Sequence, residues 1–188
     1  MDRLEKFFSE NKKVLLALSG GVDSAYLLHA AKKYGAEIKA YFVKTAFQPN
    51  YELLDARRST DLAGIFINVL YEDVFESAEL CENDGERCYY CKRFVFEKLA
   101  AIAKAEGIET IIEATNASDD ESAGIRALSE LNIRSPLREC GITKADILSG
   151  AKEEGIHNWQ RPTYVCYATQ LPSDTPITAE AIAELDRA

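Results

Sequence analysis

The sequence predicts an α/β fold, a parallel five-stranded sheet with helices on both faces. Two observations predict it. Apolar, β-rich runs of five or six residues alternate with stretches of helical period, as when crossover helices bury both faces of a sheet. The first run, Val14-Leu15-Leu16-Ala17-Leu18, also ends in Ser19-Gly20-Gly21-Val22-Asp23-Ser24, a tight glycine turn that enters a helix. In order, residues 14–18 read as strand one, and the helix after them closes near Gly35. Residues 38–43 read as strand two, 51–63 as a helix capped by Gly64, and 65–70 as strand three. A longer helix over 90–106 ends at Gly107, and 110–114 is strand four. Residues 133–137 are expected to form a short fifth strand. Thr143, with Asp146 three residues on, is expected to open a helix to about 154 through a capping pair. Residues 172–188 begin a last helix.

Composition narrows the function classes. The chain has 188 residues, 47% apolar and 28% charged, enough for one domain with a real core. No apolar run approaches the length that spans a bilayer, and Met1-Asp2-Arg3-Leu4-Glu5-Lys6 is not a signal peptide, so the expected compartment is the cytoplasm. The net charge of −9 argues against nucleic acid as a partner. Lys12-Lys13 and Arg57-Arg58 read as solvated charges. A homo-oligomer is the expected assembly. Five cysteines, an odd count, argue against a disulfide framework and turn attention to metal binding or reactive thiols.

The glycine turn carries the most chemistry. A strand, a tight turn and a helix start aim backbone N–H groups and the positive helix end at one spot, which suits a phosphate. Gly20 and Gly21 let the backbone approach an anion, and Ser19 and Ser24 add hydroxyl donors. The turn has no Lys, so it is not a Walker loop. In this type of sheet, ligands sit beyond the carboxyl ends of the strands. Thr45 after strand two and Thr115-Asn116 after strand four are expected to converge there with the loop.

Cys88-Tyr89-Tyr90-Cys91 opens a helix, so two thiols share one face, and a helix N-terminus favours thiolates. Cys166 lies far downstream and can join them only through the fold. An iron–sulfur cluster, zinc, a redox dithiol and unrelated buried cysteines all stay open on spacing alone. Cys81 and Cys140 read as ordinary thiols, His29 as structural and Trp159 as packing. His157 is a candidate for proton transfer. Tyr89 and Tyr90 read as shields of the cysteine site.

Several stretches together carry a family resemblance. They are Ser19 to Ser24, Arg87-Cys88-Tyr89-Tyr90-Cys91-Lys92, Ala114-Thr115-Asn116, Arg134-Ser135-Pro136-Leu137, Gly141-Ile142-Thr143-Lys144-Ala145-Asp146-Ile147, Pro162 through Pro172, and Thr175-Pro176-Ile177-Thr178. The loop resembles the pyrophosphatase (PP) loop of enzymes that split ATP into AMP and pyrophosphate. The whole order, from about residue 10 to 178, resembles the ATP-dependent sulfur transferases that build the nickel-pincer nucleotide of lactate racemase.

The resemblance implies an adenine nucleotide α-hydrolase-like fold, with ATP, Mg2+ and a small nucleotide substrate, a pyridinium dicarboxylate mononucleotide. ATP adenylates a carboxylate, pyrophosphate leaves, and a sulfur nucleophile displaces AMP. In one branch the cysteine matching Cys166 gives up its own sulfur and becomes dehydroalanine. In another, three cysteines hold a [4Fe-4S] cluster, and Cys88, Cys91 and Cys166 place this chain with that branch. The implied roles put Ser19, Gly20, Gly21, Val22, Asp23 and Ser24 on the pyrophosphate, with Asp23 as the magnesium contact. Phe42 and Val43 would meet adenine through backbone groups, with Thr45 and Thr115 at the cleft. Arg134, Arg138 and Lys144 are candidates for the substrate phosphate or carboxylates.

The chain departs from the family pattern at Gln170, where Arg is common, and at Glu113, where small residues are usual. The family also continues with a further C-terminal domain. The expected division is therefore a PP-loop domain with the cysteine site over 1–170 and the start of another domain over 171–188. The sulfur source stays open. So do two other readings, a PP-loop enzyme of tRNA thiolation or amide formation and a nucleotide sensor with a redox cluster.

Overall fold

The structure is a computed structural model and describes residues 3–187. After helix α1 (Arg3–Glu10), strand β1 (Lys13–Ala17) leads into α2 (Val22–Lys33), β2 (Glu37–Lys44), α3 (Asn50–Ala63) and β3 (Ile67–Tyr71). A one-turn helix α4 (Ala78–Cys81) precedes the long α5 (Arg87–Ala105) and β4 (Thr110–Ile112). Helices α6 (Ala123–Glu130), α7 (Pro136–Glu139), α8 (Lys144–Glu153) and α9 (Ala179–Arg187) complete the described chain.

The sheet is parallel in order β3-β2-β1-β4. It has four strands, not the expected five. Residues 133–137 contribute a single parallel bridge, Ile112 to Arg134, closed by Arg134 N to Ile111 O at 2.9 Å and Glu113 N to Arg134 O at 3.0 Å. Pro136 then removes the next donor and occupies the first turn of α7, so pairing stops after one rung.

Alternate strand residues go to opposite layers. Val14, Leu16, Ala40, Phe42 and Ile112 join a core with α1, α2, α3 and α8. Leu15, Tyr41, Val43 and Ile111 face α5 and α6. Helices therefore cover both faces, as the alternating pattern predicts. Gly64, left-handed at φ 66°, ends α3, and the capping box of Thr143 and Asp146 opens α8.

The chain leaves β1 to build β2 and β3 on one side and returns to place β4 on the other. That reversal opens a crevice beyond the carboxyl end of β1. A third, smaller apolar cluster sits near it: Phe47, Val74, Leu80, Ala168, Ile177 and Ile182. Residues of 171–187 thus pack against the segment around Cys166. Among the described residues no helix is long and apolar enough to cross a membrane.

Candidate functional site

The loop between β1 and α2 is closed by its own hydroxyls. Ser24 Oγ donates to Gly21 O at 2.9 Å and lies 3.1 Å from Ser19 Oγ, which accepts from Gly21 N at 3.3 Å. Gly20 holds φ +82°, and a Cβ there would lie 2.1 Å from the backbone oxygen of Glu52 on α3. Only glycine fits that approach. Gly21 caps α2 without a side-chain bond to the first-turn N–H groups, which leaves the helix start formed for an anion. These features fit the phosphates of ATP.

Asp23, in the first turn of α2, faces two partners. Lys144 Nζ of α8 lies 2.5 Å from its Oδ1, and Asn116 Nδ2 donates to its Oδ2 at 3.3 Å. Magnesium is usually held by one or two carboxylates together with substrate phosphates, and Asp23 is the carboxylate beside the loop, its charge balanced in this structure by Lys144.

The crevice has two connected parts. A cavity of about 290 Å³ runs along Leu18, Ser19, Tyr41, Val43, Ala114 and Thr115. A cleft of about 400 Å³ is lined by Ser19, Gly21, Val22, Asp23, Thr45, Lys144, Cys91 and Cys166. Asp23, Gln48, Cys91 and Lys92 line both. The Phe42 side chain is buried in the core, while Val43 reaches the smaller cavity. Glu113 is also buried there, its carboxylate accepting from Thr115 N at 3.0 Å, Thr115 Oγ1 at 2.8 Å and Ser135 Oγ.

Two residues expected at the cleft lie elsewhere. Arg134 pairs with Glu139 and stacks 5.0 Å over Phe7. Arg138 donates to Asp119 O at 2.6 Å and pairs with Glu121 on a separate surface depression. Each is drawn to a carboxylate, Arg134 to one five residues on and Arg138 to one seventeen residues back. His157 lies buried against α3 rather than at the thiols, and burial holds its pKa below the usual imidazole value.

Cys91 and Cys166 share the cleft, while Cys88, one turn earlier on α5, is exposed. Burial first, then the neighbouring Cys166, pushes the Cys91 thiol up to about 11. Burial also raises Cys166, against the N–H groups of Ala168 and Thr169 and the Arg87 guanidinium. Among the described residues no group of three His, Cys, Asp or Glu side chains is arranged to hold a metal ion. As they stand, the three thiols do not form a cluster site.

Motif reading named no role for five further cleft residues. Lys92 immediately follows Cys91, a signal the motif did contain. Gln48 Oε1 accepts from Thr45 N at 2.9 Å. Asn158 Nδ2 donates to Gly20 O at 2.8 Å. Arg161 and the buried Glu52 complete the set, and burial pushes the Glu52 carboxyl up to about 7. Nothing in spacing alone points to these last three.

The sequence profile of the tRNA methyl transferase HUP domain matches residues 12–84. An uncharacterised protein of Synechocystis sp. is 30% identical over 193 residues, covering 100% of this chain and 71% of the relative. The pyridinium-3,5-bisthiocarboxylic acid mononucleotide synthase of Lactiplantibacillus plantarum is 26% identical over 182 residues, 93% of this chain and 64% of that enzyme. Among solved structures, the U34-tRNA thiolase NcsA of Methanococcus maripaludis, determined with its [4Fe-4S] cluster, shares the fold. Its TM-score is 0.64 at 17% identity, covering 98% of this chain and 70% of that one.

Proposed function

Because the chain belongs to the PP-loop family of ATP-dependent sulfurtransferases, we propose that it converts a carboxylate of a pyridinium dicarboxylate mononucleotide into a thiocarboxylate. One observation carries this reading: the glycine loop and two cysteines from distant parts of the chain line one cleft. A carboxylate is a poor acyl donor because oxide would have to leave. In the proposed first step its oxygen attacks the α-phosphorus of ATP, and pyrophosphate departs into the N–H groups of the loop and the hydroxyls of Ser19 and Ser24. Donors fixed before the reaction stabilise that charge without reorganising. Asp23 would hold a magnesium ion, which neutralises phosphate charge when bound. Lys92, Lys144 and Arg161 give the cleft positive side chains for an anionic substrate.

In the second step the Cys166 sulfur attacks the acyl carbon, and AMP leaves with the bonding pair. A thioester results. Removal of the Cα proton of residue 166 then sends its electron pair into a Cα–Cβ double bond. The Cβ–S bond breaks, the thiocarboxylate leaves and dehydroalanine remains. This route needs Cys166 alone, and it does not require Cys88 to turn inward.

The test is single turnover with ATP and the dicarboxylate mononucleotide. Pyrophosphate release is expected, with a protein mass lower by that of one molecule of hydrogen sulfide. Cys166→Ala should keep pyrophosphate release and lose transfer, and undiminished transfer by that variant would refute the donor role. Anaerobic reconstitution that yields about four irons per chain would assign delivery to a cluster instead. Pyrophosphate release that responds to tRNA and not to the small carboxylate would move the substrate to the tRNA thiolases.

A further inference from the structure

Cys166 sits on a strap, residues 157–166, whose last five residues have no regular secondary structure. Its backbone bonds are local in its first half, where Arg161 N donates to Asn158 O at 3.0 Å, and resume only at Cys166, whose O accepts from Thr169 N at 3.0 Å and Thr169 Oγ1 at 2.7 Å, and just beyond it, where Tyr167 N donates to Phe47 O at 2.9 Å. Between them, side chains hold it, and they meet at one residue. Asp55, on α3, is 4% exposed. Its Oδ2 accepts from the Tyr164 hydroxyl and lies 2.9 Å from Arg161 Nη1, and its Oδ1 lies 3.6 Å from His157 Nε2. His157 is itself buried, and that nitrogen has no hydrogen-bond partner among the described residues. Three residues of the strap therefore face one buried carboxylate.

The same helix touches the other half of the cleft. Glu52, three residues before Asp55 and on the same side of α3, presents its backbone oxygen to Gly20 of the glycine loop. Asn158, at the start of the strap, also holds the loop, donating to Gly20 O at 2.8 Å. Helix α3 thus sets the spacing between the phosphate loop and the strap, through Glu52 O at the loop and the Asp55 carboxylate at the strap.

We propose that Asp55 is the positioning residue for Cys166: its bonds to Tyr164 and Arg161 fix where the sulfur stands relative to the glycine loop. The proposal rests on the sulfur-donor reading for its consequence in catalysis, but not for its geometry. Asp55 touches no reacting atom and acts only through the strap.

Tyr164→Phe is the cleanest test. It removes the hydroxyl and leaves the ring to pack 5.1 Å from that of Tyr51. The first readout needs no activity. Folded protein is alkylated with iodoacetamide, and the rates at Cys166 and Cys140 are followed by peptide mass spectrometry. The expected result is a rate at Cys166 changed by about tenfold relative to Cys140, the scale of losing one hydrogen bond to a charged acceptor. A purely structural role would change both rates together or neither. Sulfur transfer in a single turnover should fall by a similar factor, and by more than pyrophosphate release. Asp55→Asn, which keeps the shape and removes the charge, should act in the same direction.

A ratio of Cys166 to Cys140 labelling within twofold of wild type, in a folded Tyr164→Phe protein, overturns the proposal. If Asp55→Asn does not fold, Tyr164→Phe still decides. If wild-type protein transfers no sulfur, the labelling ratio still tests the positioning, and only the functional reading fails.

Discussion

Glu52 is 6% exposed, one turn into α3, with its carboxyl pushed up to about 7 by burial and only partly drawn back by Lys44. The Lys44 ammonium is engaged by the backbone oxygens of Thr45, at 3.1 Å, and Gln48. In an unfolded chain the same carboxyl titrates near its ordinary value, 4.5. Between those two values the folded protein binds the extra proton, so folding stability must fall as pH rises through this window. The loss is complete above the folded value. A gap of about 2.5 pH units corresponds to roughly 3 kcal/mol.

Glu52→Gln keeps the side-chain shape and cannot ionise. Urea unfolding of both proteins from about pH 5.5 to about pH 8 should show the variant gaining on wild type by about 2 kcal/mol across the range, since part of the difference already exists at the acid end. The backbone oxygen of Glu52 that packs on Gly20 is untouched, so any change reports the carboxyl alone. Parallel stability curves would refute the reasoning, because they would mean that Glu52 ionises as easily folded as unfolded.

Two other substitutions test the frame of the site. Gly20→Ala forces a Cβ to within 2.1 Å of Glu52 O at φ +82° and should destabilise the protein by about 3 kcal/mol or more, with ATP binding lost in calorimetry. Thr143→Ala removes the capping box of α8 at about 1 kcal/mol, read as a Tm lower by about 2–4 °C.

Four strands were legible in the sequence because each centres on a short apolar, β-rich run between helical stretches, although β3 at the sheet edge is only half-buried, and the glycine loop was legible because its spacing has a mechanism. The fifth strand failed at Pro136, whose missing N–H ends pairing after the Arg134 bridge. Helix α1 carried a readable signal, Leu4, Phe7 and Phe8 at helical spacing and all buried, but it lies ahead of the strand–helix alternation that guided the reading. Helix α6 is short, and its start depends on a local cap, Ser122 Oγ accepting from Ile125 N. At the site, Arg134 and Arg138 were candidate anion contacts, yet they pair with Glu139 and Glu121 and neither lines the cleft. The meeting of Cys91 with Cys166 spans 75 residues of chain, and no local pattern encodes such a contact. Asp55 was invisible for the same reason: its partners belong to a strap about a hundred residues downstream.

The two halves of the cleft are held in different ways, and the difference matches what each must do. The glycine loop is locked by hydroxyl bonds, by a backbone close approach and by the sheet that precedes it. In the proposed reaction phosphate charge would develop there at a fixed place, where donors that do not move are an advantage. The cysteine strap is tied instead by side chains that converge on Asp55. Releasing a ladder of backbone bonds would require several to break together. Releasing the middle of the strap from α3 requires breaking the Tyr164 and Arg161 bonds to Asp55, each worth about 1.5–3 kcal/mol when the acceptor is charged. In the proposed reaction, a sulfur that first attacks an acyl carbon and then loses its bond to Cβ would change position within one turnover. Helix α3 touches both halves, Gly20 through the Glu52 backbone oxygen and the strap through the Asp55 side chain.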